Sequence, residues 1–270
     1  MPARKSKNRI VLTHSEKPSP EFWDSHWSLN EDLRKKIDDA ANGLSLVSYE
    51  KVLSKYLPTN GKILEAGCGY GPIVFGLKSR GYNIEGLENS RKLVEKILEI
   101  VPEAPIQFGD VTEIKRPANF YDAYLSFGVM EHDLEGPSRF LKEAHRVLKP
   151  GGIAIIYVPF YDLFWKIRSL FLKKWDNNET FFQWHFTRAE FLTFIKKEGF
   201  EIIAMGGNGV RTGLIRAFPF ADKIFKLKGG YRLWKFLSFL EDHPLTSSFG
   251  WMQYFVCRKV CEDQTGKISL

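Results

Sequence analysis

The sequence predicts an α/β fold with a doubly wound, mainly parallel sheet and helices on both of its faces. Two observations predict it. Between residues 62 and 158, short apolar runs of strand type alternate with amphipathic runs of helical period. Three glycines at alternate positions, Gly67, Gly69 and Gly71, stand where the first of these strands passes into a helix. A chain of 270 residues with 44% hydrophobic content can bury one sizeable core around such a sheet.

Two segments of different character precede the sheet. Residues 1–21 are basic and polar, lack the continuous apolar stretch of a secretory signal, and are expected to form a mobile tail. Residues 22–60 form an N-terminal helical segment, in which helical spacing over 31–57 predicts one helix that Pro58 and Gly61 end. Residues 61–270 are then expected to form one domain around the sheet.

The elements of this domain follow in a regular order and then lose it. Strands are predicted at 62–65, 83–87, 106–108, 121–126 and 153–158, with helices at 73–79, 91–100 and 137–148. After Pro159 comes an insertion, 160–186, with the length of a helical hairpin. A helix at 187–199, a strand at 200–205, a second insertion at 207–250 and a strand at 252–258 complete the pattern.

The positive charge of the chain is concentrated in its second half. Residues 160–235 contain 14 Lys or Arg against 7 Asp or Glu, an excess equal to the whole net charge of +7, and 18 of the 39 aromatic residues. Basic and aromatic character therefore coincide in the two insertions, where we expect the chain to meet an apolar, aromatic or anionic partner.

Cysteine content and hydropathy limit the class of protein. Cys68, Cys257 and Cys261 cannot form a disulfide framework, and no Cys/His cluster surrounds them, so no metal site is predicted. This composition fits a reducing cytoplasm. No run of about 18 consecutive apolar residues suggests a bilayer-spanning helix, although peripheral contact with a membrane stays open.

The glycine turn can bring a ligand close to the backbone, and its neighbours indicate which ligand. A dinucleotide would place its pyrophosphate here, where Glu65 would repel it, and its pattern needs a glycine at position 72, where the chain has Pro72. S-adenosylmethionine carries an ammonium and a sulfonium but no phosphate. The acidic residue therefore favours S-adenosylmethionine over a dinucleotide.

Two more carboxylates follow predicted strands. Glu88 ends a strand 19 residues beyond Gly69, a position from which a carboxylate can accept both hydroxyls of a ribose. Asp110, in the sequence Gly109-Asp110-Val111, can accept from an adenine amino group. A solvated acidic residue at a strand end is a common alternative for Glu88, but its spacing from the glycines and the apolar strand before it favour the ribose role, whereas the Gly-Asp turn alone would be uninformative.

Taken together, these motifs resemble a known family. They are similar to the motifs of class I S-adenosylmethionine-dependent methyltransferases, in particular the small-molecule (type 11) group that includes quinone- and sterol-modifying enzymes. The similar positions are the runs 65–71, 109–111, 121–132 and 146–152, together with Glu88. The resemblance covers about residues 60–160, and 184–200 more loosely. Glu65 and Glu88 stand where Asp is commoner, and either carboxylate can perform the task.

The resemblance implies a Rossmann-like sheet of seven strands whose last strand, 252–258, is antiparallel, with the insertions capping the substrate site. It also implies S-adenosylmethionine as cofactor, with Gly67, Gly69 and Gly71 along its methionine part, Glu88 at the ribose and Asp110 and Val111 at the adenine. The floor under the sulfonium would be Ser126, Phe127, Gly128 and Val129, and Glu65, Cys68 and Asn89 are further expected cofactor contacts.

A methyl acceptor that loses a proton would benefit from a general base, and the candidates are His132, His185 and Glu131. His132 is preferred because it follows the fourth strand at the carboxyl edge of the sheet, where ligands bind in such folds. A histidine that serves only packing or a helix end explains the position equally well, because the family group often has a histidine there without using it as a base.

The first insertion supplies candidate contacts for the acceptor, namely Tyr161, Trp165 and His185. Residues 161–175 are expected to form a basic amphipathic helix that acts as a lid, packs as an ordinary helix, or lies on an anionic membrane. The predicted activity is methyl transfer to a small-molecule or lipid-linked acceptor. A catalytically inactive scaffold is the alternative, and a nucleic-acid substrate is disfavoured by the interleaved acidic residues. The sequence leaves the oligomeric state open.

Overall fold

Ten strands and ten α-helices make up the part of the chain that the computed structural model describes, namely residues 1–7, 9–26, 32–176, 178–218, 220–225, 232 and 250–260. The first half contains β1 (Ala3–Ser6), β2 (Arg9–Thr13), α1 (Pro20–His26), α2 (Leu33–Ala41), a 3₁₀ turn (Leu44–Leu46), α3 (Glu50–Tyr56), β3 (Lys62–Ala66), α4 (Pro72–Ser79), β4 (Asn83–Glu88), α5 (Arg91–Ile100), β5 (Ile106–Phe108) and β6 (Tyr121–Phe127). The second half contains a second 3₁₀ turn (Met130–His132), α6 (Ser138–Val147), β7 (Leu148–Pro159), α7 (Leu163–Ser169), β8 (Phe181–His185), α8 (Arg188–Lys197), β9 (Phe200–Asn208), α9 (Val210–Ala217), α10 (Ala221–Phe225) and β10 (Met252–Lys259).

Seven of these strands form the main sheet in the order β5-β4-β3-β6-β7-β10-β9. The strands β3 to β7 pair in parallel, whereas β10 is antiparallel to both β7 and β9. The predicted seven-stranded, doubly wound sheet with an antiparallel last strand is thereby confirmed. Because the chain order reverses between β3 and β6, their carboxyl ends open a crevice at the edge of the sheet.

Apolar residues bury both faces of this sheet. On one face, α6 and α8 cover Tyr124, Ile156 and Phe255, and on the other α2, α4 and α5 cover Ile63, Ile84 and Ile155. The amphipathic pattern of α5 explains its burial, because Leu93, Val94 and Ile97 lie on one side of the helix. Ser90 caps α5 by accepting from the Leu93 N–H, which fixes where the helix begins.

The prediction of a mobile tail at residues 1–21 is wrong. β1 and β2 form an antiparallel hairpin, and β2 pairs with β8 in a separate three-stranded sheet. Ile10 and Val11 are fully buried, and Arg9 pairs with Glu190 and lies over the Trp184 ring. The strand pattern 9–13 was overlooked because basic residues surround it.

The single helix predicted over 31–57 is also wrong. α2 ends at Ala41 because Gly43 adopts a left-handed conformation with φ of 80°, and α3 starts only at Glu50. The apolar residues on both sides of the break still pack against α4, which is why the helical spacing looked continuous.

The first insertion, 160–186, is a short helix followed by a strand and not a helical hairpin. α7 spans Leu163–Ser169, half of the helix predicted over 161–175, and β8 returns to pair with β2. Most of the second insertion, 207–250, lies outside the described residues, which between β9 and Gly250 are 209–218, 220–225 and Arg232 and include α9 and α10. Within the described part of the chain, none of the helices is long and apolar enough to cross a bilayer.

Candidate active site

A cavity of about 750 Å³ opens at the carboxyl edge of β3, β4 and β6. Its walls come from the glycine turn after β3, the ends of β4 and β6, the helix α1 and the loop around Asp110. The predicted residues that line it are Glu65, Gly67, Cys68, Gly69, Glu88, Asn89, Asp110, Val111, Phe127, Gly128 and His132. The volume is typical of small-molecule sites.

Glycine is required in the turn by conformation and by space. Gly67 and Gly69 have φ values of 77° and 54°, a left-handed region that other residues rarely adopt. A Cβ atom on Gly67 would come within 2.5 Å of Val129 Cγ2. The turn therefore keeps its left-handed backbone and leaves the cavity wall open beside β3.

The amide groups of the turn are already used inside the protein. The N–H groups of Gly67 and Cys68 both donate to the Leu87 carbonyl, at 2.8 and 3.1 Å, and the N–H of Gly71 donates to Cys68 at 2.9 Å. The N–H of Gly69 donates to Glu88 Oε2 at 2.9 Å. A pyrophosphate would need these donors, so the turn does not offer the anion site of a dinucleotide fold.

Two buried carboxyl groups lie behind and beside the turn. Glu65 accepts from the Val74 N–H at 3.1 Å, at the start of α4, and Glu88 accepts from the N–H groups of Gly69 and Ser90. Burial raises the pKa of Glu65 well above its usual value, and it also raises the pKa of Glu88, although hydrogen bonds from the backbone oppose both shifts. Neither carboxyl has a cationic partner within ion-pair distance among the described residues.

Asp110 lies on the same rim, beyond β5. Its Oδ1 accepts from both the N–H and the hydroxyl of Thr112, at 2.7 Å each, which fixes the carboxylate at the cavity wall. Val111 beside it is buried in the core and closes the wall from behind.

The other end of the cavity is aromatic. The rings of Trp23 and Phe182 each stand edge-on to His132, with centroids 4.9 Å away. His132 Nδ1 lies 3.0 Å from the Phe182 carbonyl oxygen, so it donates there and leaves Nε2 as the acceptor. Burial lowers the pKa of His132 to about 4, so the imidazole is neutral at physiological pH.

Comparison with known proteins agrees with this geometry. Residues 64–156 match the family model described as a methyltransferase domain. Over this segment the chain is similar to S-adenosylmethionine-dependent methyltransferases. It is 31% identical over 173 residues to 2-methyl-6-phytyl-1,4-hydroquinone methyltransferase 2 of Oryza sativa subsp. japonica, which covers 62% of this chain and 44% of that protein.

More distant relatives extend the comparison. The chain is 33% identical over 105 residues to a sterol 24-C-methyltransferase of Aspergillus fumigatus, over 36% of this chain and 27% of that protein. A solved structure from Pyrococcus horikoshii OT3 shares the fold, with a TM-score of 0.55 and 17% identity over 81% of this chain and 91% of that one. The chain spans about half the length of the first curated relatives that it matches, 44% and 52%.

The site fits S-adenosylmethionine, the methyl donor of this methyltransferase family. Glu65, Glu88 and Asp110 supply acceptors for donor groups on a cationic ligand, and the turn holds no free phosphate-binding amides at the four positions described above. Gly128, with φ of 72°, keeps the floor after β6 free of a side chain. The residues present therefore suit a ligand with an ammonium, a sulfonium and a ribose.

Five predicted residues of the methyltransferase lie outside the cavity lining. Gly71 starts α4 and packs near Ile106, and Ser126 is buried in the sheet. The three predicted acceptor contacts, Tyr161, Trp165 and His185, are buried behind the wall. Tyr161 and Trp165 pack in a buried cluster with Ile10 and Leu12 of the β1–β2 hairpin, and His185 ends β8, which pairs with β2.

Several lining residues were missed, in particular Trp23, His26, Tyr49, Phe182, Gln183, Arg216 and Trp251. Trp23 and His26 belong to α1, which the sequence signals with Ser19 as its cap and Pro20 as its first residue. The others reach the cavity through contacts distant in sequence, for which the chain carries no local signal.

Proposed function

We propose that the protein transfers a methyl group from S-adenosylmethionine to a small-molecule or lipid-linked acceptor. The observation that carries the proposal is the cavity itself, which runs from an acidic glycine turn to an aromatic end without a dividing wall. One end suits a cationic cofactor and the other an apolar acceptor, so both partners of a methyl transfer would lie in one space.

The chain's own residues would act by binding, alignment and exclusion of water. When bound, S-adenosylmethionine supplies an activated methyl group on a sulfonium, so the protein forms no covalent bond to the acceptor. Phe127 and Gly128 form the floor where the reacting groups would meet, and the contacting rings of Trp23 and Phe182 would help to exclude water from it. Alignment in a dry site can supply much of the rate enhancement of an in-line displacement.

His132 is the group best placed to receive a proton from an acceptor hydroxyl or amine. Its neutral imidazole lines the cavity, and the Phe182 carbonyl fixes the tautomer that presents Nε2 as the acceptor. Glu131 and His185, the other two candidate bases, do not line the cavity. We therefore assign the role of base to His132 for acceptors that must lose a proton.

The surface of α7 supports an acceptor that resides in a membrane. Leu170 and Phe171, at its end, are 74% and 83% exposed, and Leu163 and Ile167 are 48% and 45% exposed. The lysines 166, 173 and 174 are exposed around them. Exposed apolar side chains ringed by lysines suit the interface of an anionic bilayer, and Trp165 of the same helix packs on His185 behind the cavity wall.

The decisive experiment is calorimetric titration with S-adenosylmethionine, S-adenosylhomocysteine and NAD. Wild type should bind the first two with micromolar-range affinity and should not bind NAD. Gly69→Arg should abolish binding, because the side chain would enter the cavity. Gly151→Arg is the matched control: Gly151 also has positive φ, 76°, and no atom lies within 4 Å of a Cβ added there.

A folded wild type that fails to bind S-adenosylmethionine would contradict the proposal and favour the scaffold alternative. Binding that survives in Gly69→Arg would contradict the placement of the cofactor. With binding established, turnover on hydroquinone acceptors, with and without anionic vesicles, would test the acceptor class.

A further inference from the structure

We propose that Arg216 forms an anion-recognising subsite at the acceptor end of the cavity, so that the acceptor carries a compact oxyanion, such as a carboxylate or phosphate, beside its aromatic or apolar body. The inference rests on the proposed function, because it specifies the substrate class of the same site. Arg216 lies on α9, Trp251 precedes β10, and both line the cavity.

The guanidinium of Arg216 is held in place by stacking. Its Cζ atom lies 3.7 Å from the centroid of the Trp251 ring, and Trp251 in turn packs edge-on against the buried His185 at 5.2 Å. A guanidinium stacked on a ring face keeps its in-plane N–H donors available at its edge. A planar carboxylate or a phosphate can accept two of them together.

The charge of Arg216 has no carboxylate partner in the part of the chain that the structure describes. Among the described residues, one other arginine lines the cavity, Arg139, and it pairs with Asp133. On the same helix as Arg216, Arg211 pairs with Asp222 at 3.8 Å. Arg216 thus differs from both comparable arginines, because it lines the cavity with no carboxylate partner among the residues that the structure describes.

The surroundings of Arg216 would strengthen its attraction for an anion. Arg216 is an exposed residue that lines the cavity, and partial burial of its guanidinium lowers its pKa below the usual value. A charge in such a place gains more from an anionic ligand than a fully hydrated one. The carboxyl groups of Glu65 and Glu88 lie at the cofactor end, so the cavity is acidic at one end and basic at the other.

Gln183 adds a second polar group to the same wall. Its Nε2 lies 3.3 Å from His185 Nε2, and His185 Nδ1 lies 3.4 Å from the Phe160 carbonyl oxygen. His185 therefore donates to the carbonyl from Nδ1 and accepts from Gln183, which fixes the orientation of the Gln183 amide. Burial lowers the pKa of His185 to about 3, so this imidazole is neutral at physiological pH. His185 is a positioning residue in this arrangement.

The test compares matched aromatic ligands by calorimetry on protein loaded with S-adenosylhomocysteine. The probes are 4-hydroxybenzoate, 4-hydroxyphenyl phosphate and the neutral 4-hydroxybenzamide. Wild type should bind at least one of the two anions roughly tenfold or more tightly than the amide, the effect of one charge-assisted pair. A preference for the benzoate or for the phosphate distinguishes the two oxyanions.

Arg216→Gln should remove this preference and leave the affinity for S-adenosylhomocysteine unchanged, which also shows that the variant is folded. Arg216→Lys should restore part of the preference, because it keeps the charge but loses the planar edge. Arg211→Gln, on the same helix, should behave as wild type. Three outcomes would each contradict the proposal of an anion subsite. They are equal affinity of the wild type for the anions and the amide, failure of both anions to bind, and a preference for anions that survives in Arg216→Gln.

This outcome is separable from failure of the proposed function. A protein that does not bind S-adenosylmethionine would contradict the methyltransferase proposal before any acceptor is added. A protein that binds the cofactor but shows no dependence on Arg216 would contradict the anion subsite alone.

Discussion

Glu131 is a carboxyl group in an apolar setting beside the cavity floor. The residue is 3% exposed, and its Oε2 has no hydrogen-bond partner among the described residues. Burial raises its pKa to about 8. The side chain is therefore mainly protonated at neutral pH, which keeps a negative charge away from the floor next to Gly128.

We expect Glu131→Gln to be more stable than wild type at alkaline pH. Between about pH 4.3 and about pH 8 the unfolded chain ionises this group while the folded chain keeps it protonated. This difference removes stability from the wild type as pH rises, by up to about 1.4 kcal/mol per pH unit within that window, and the glutamine cannot titrate.

Urea unfolding at about pH 5 and pH 8 measures the effect. The gap between variant and wild type should widen towards pH 8, whereas Glu135→Gln, at a neighbouring exposed position, should leave it unchanged. A constant gap across the range would contradict the raised pKa.

Cofactor affinity should rise with pH because the carboxyl groups of Glu65 and Glu88 must ionise to accept from a cationic ligand. Their pKa values are raised by burial, so protonation persists above the usual range and weakens binding there. Glu88→Gln should bind S-adenosylmethionine roughly 10- to 100-fold more weakly, because hydrogen bonds to a charged group contribute about that much to affinity. Calorimetry across pH measures both effects, with Glu103→Gln, at an exposed site, as control.

At the level of elements, the sequence predicts what local pattern determines. The bounds of α5 and β5 match the prediction, because an amphipathic repeat and a short apolar run determine them. The residues of the glycine turn were predicted because neighbours in the chain are neighbours in the site. Gln183 and Trp251 were not predicted, because pairing of β8 and β10 with distant strands brings them to the cavity, and Arg216 was not predicted because it reaches the cavity from α9, which packs against α7.

The hairpin of β1 and β2 should contribute to stability, contrary to the tail that the sequence predicted. Ile10 is fully buried against α7 and its neighbours. We expect Ile10→Ala to cost about 2–5 kcal/mol of the free energy of unfolding, because it removes buried methyl groups and leaves a cavity. Glu16→Ala, at an exposed position, is the control. An unchanged urea midpoint for Ile10→Ala would mean that the segment is not packed.

The helix α1 closes over the cavity and is held there by Asp24. Asp24 Oδ1 accepts from the Ser90 hydroxyl at 2.6 Å and from the Lys92 N–H at 3.3 Å, at the start of α5. We expect Asp24→Ala to raise the rate of amide hydrogen exchange in residues 20–26. The variant should also weaken cofactor binding by about fivefold, which corresponds to the loss of one hydrogen bond. Glu21→Ala, on the same helix, should change neither. Unchanged exchange in Asp24→Ala would contradict the tether.

At the scale of the whole molecule, an excess of basic residues and several exposed apolar side chains fall in one segment of the sequence. The excess of basic residues lies in 160–235, which contains α7, and Phe220 adds a further apolar side chain that is 62% exposed. Because α7 packs against α9, the helix that contains Arg216, contact with a bilayer at α7 would bring the acceptor end of the cavity near the membrane.

We therefore expect the protein to associate with vesicles of anionic phospholipid and not with neutral ones, and to dissociate as salt rises, because lysines near the surface contribute about 1 kcal/mol each. Leu170→Ser with Phe171→Ser should weaken association roughly tenfold or more through lost apolar burial. Phe108→Ser with Met205→Ser removes two side chains that are each 45% exposed on β5 and β9, at opposite edges of the main sheet, and should have little effect. Flotation or sedimentation measures the bound fraction; equal losses in the two double variants, or binding to neutral vesicles alone, would contradict docking through α7.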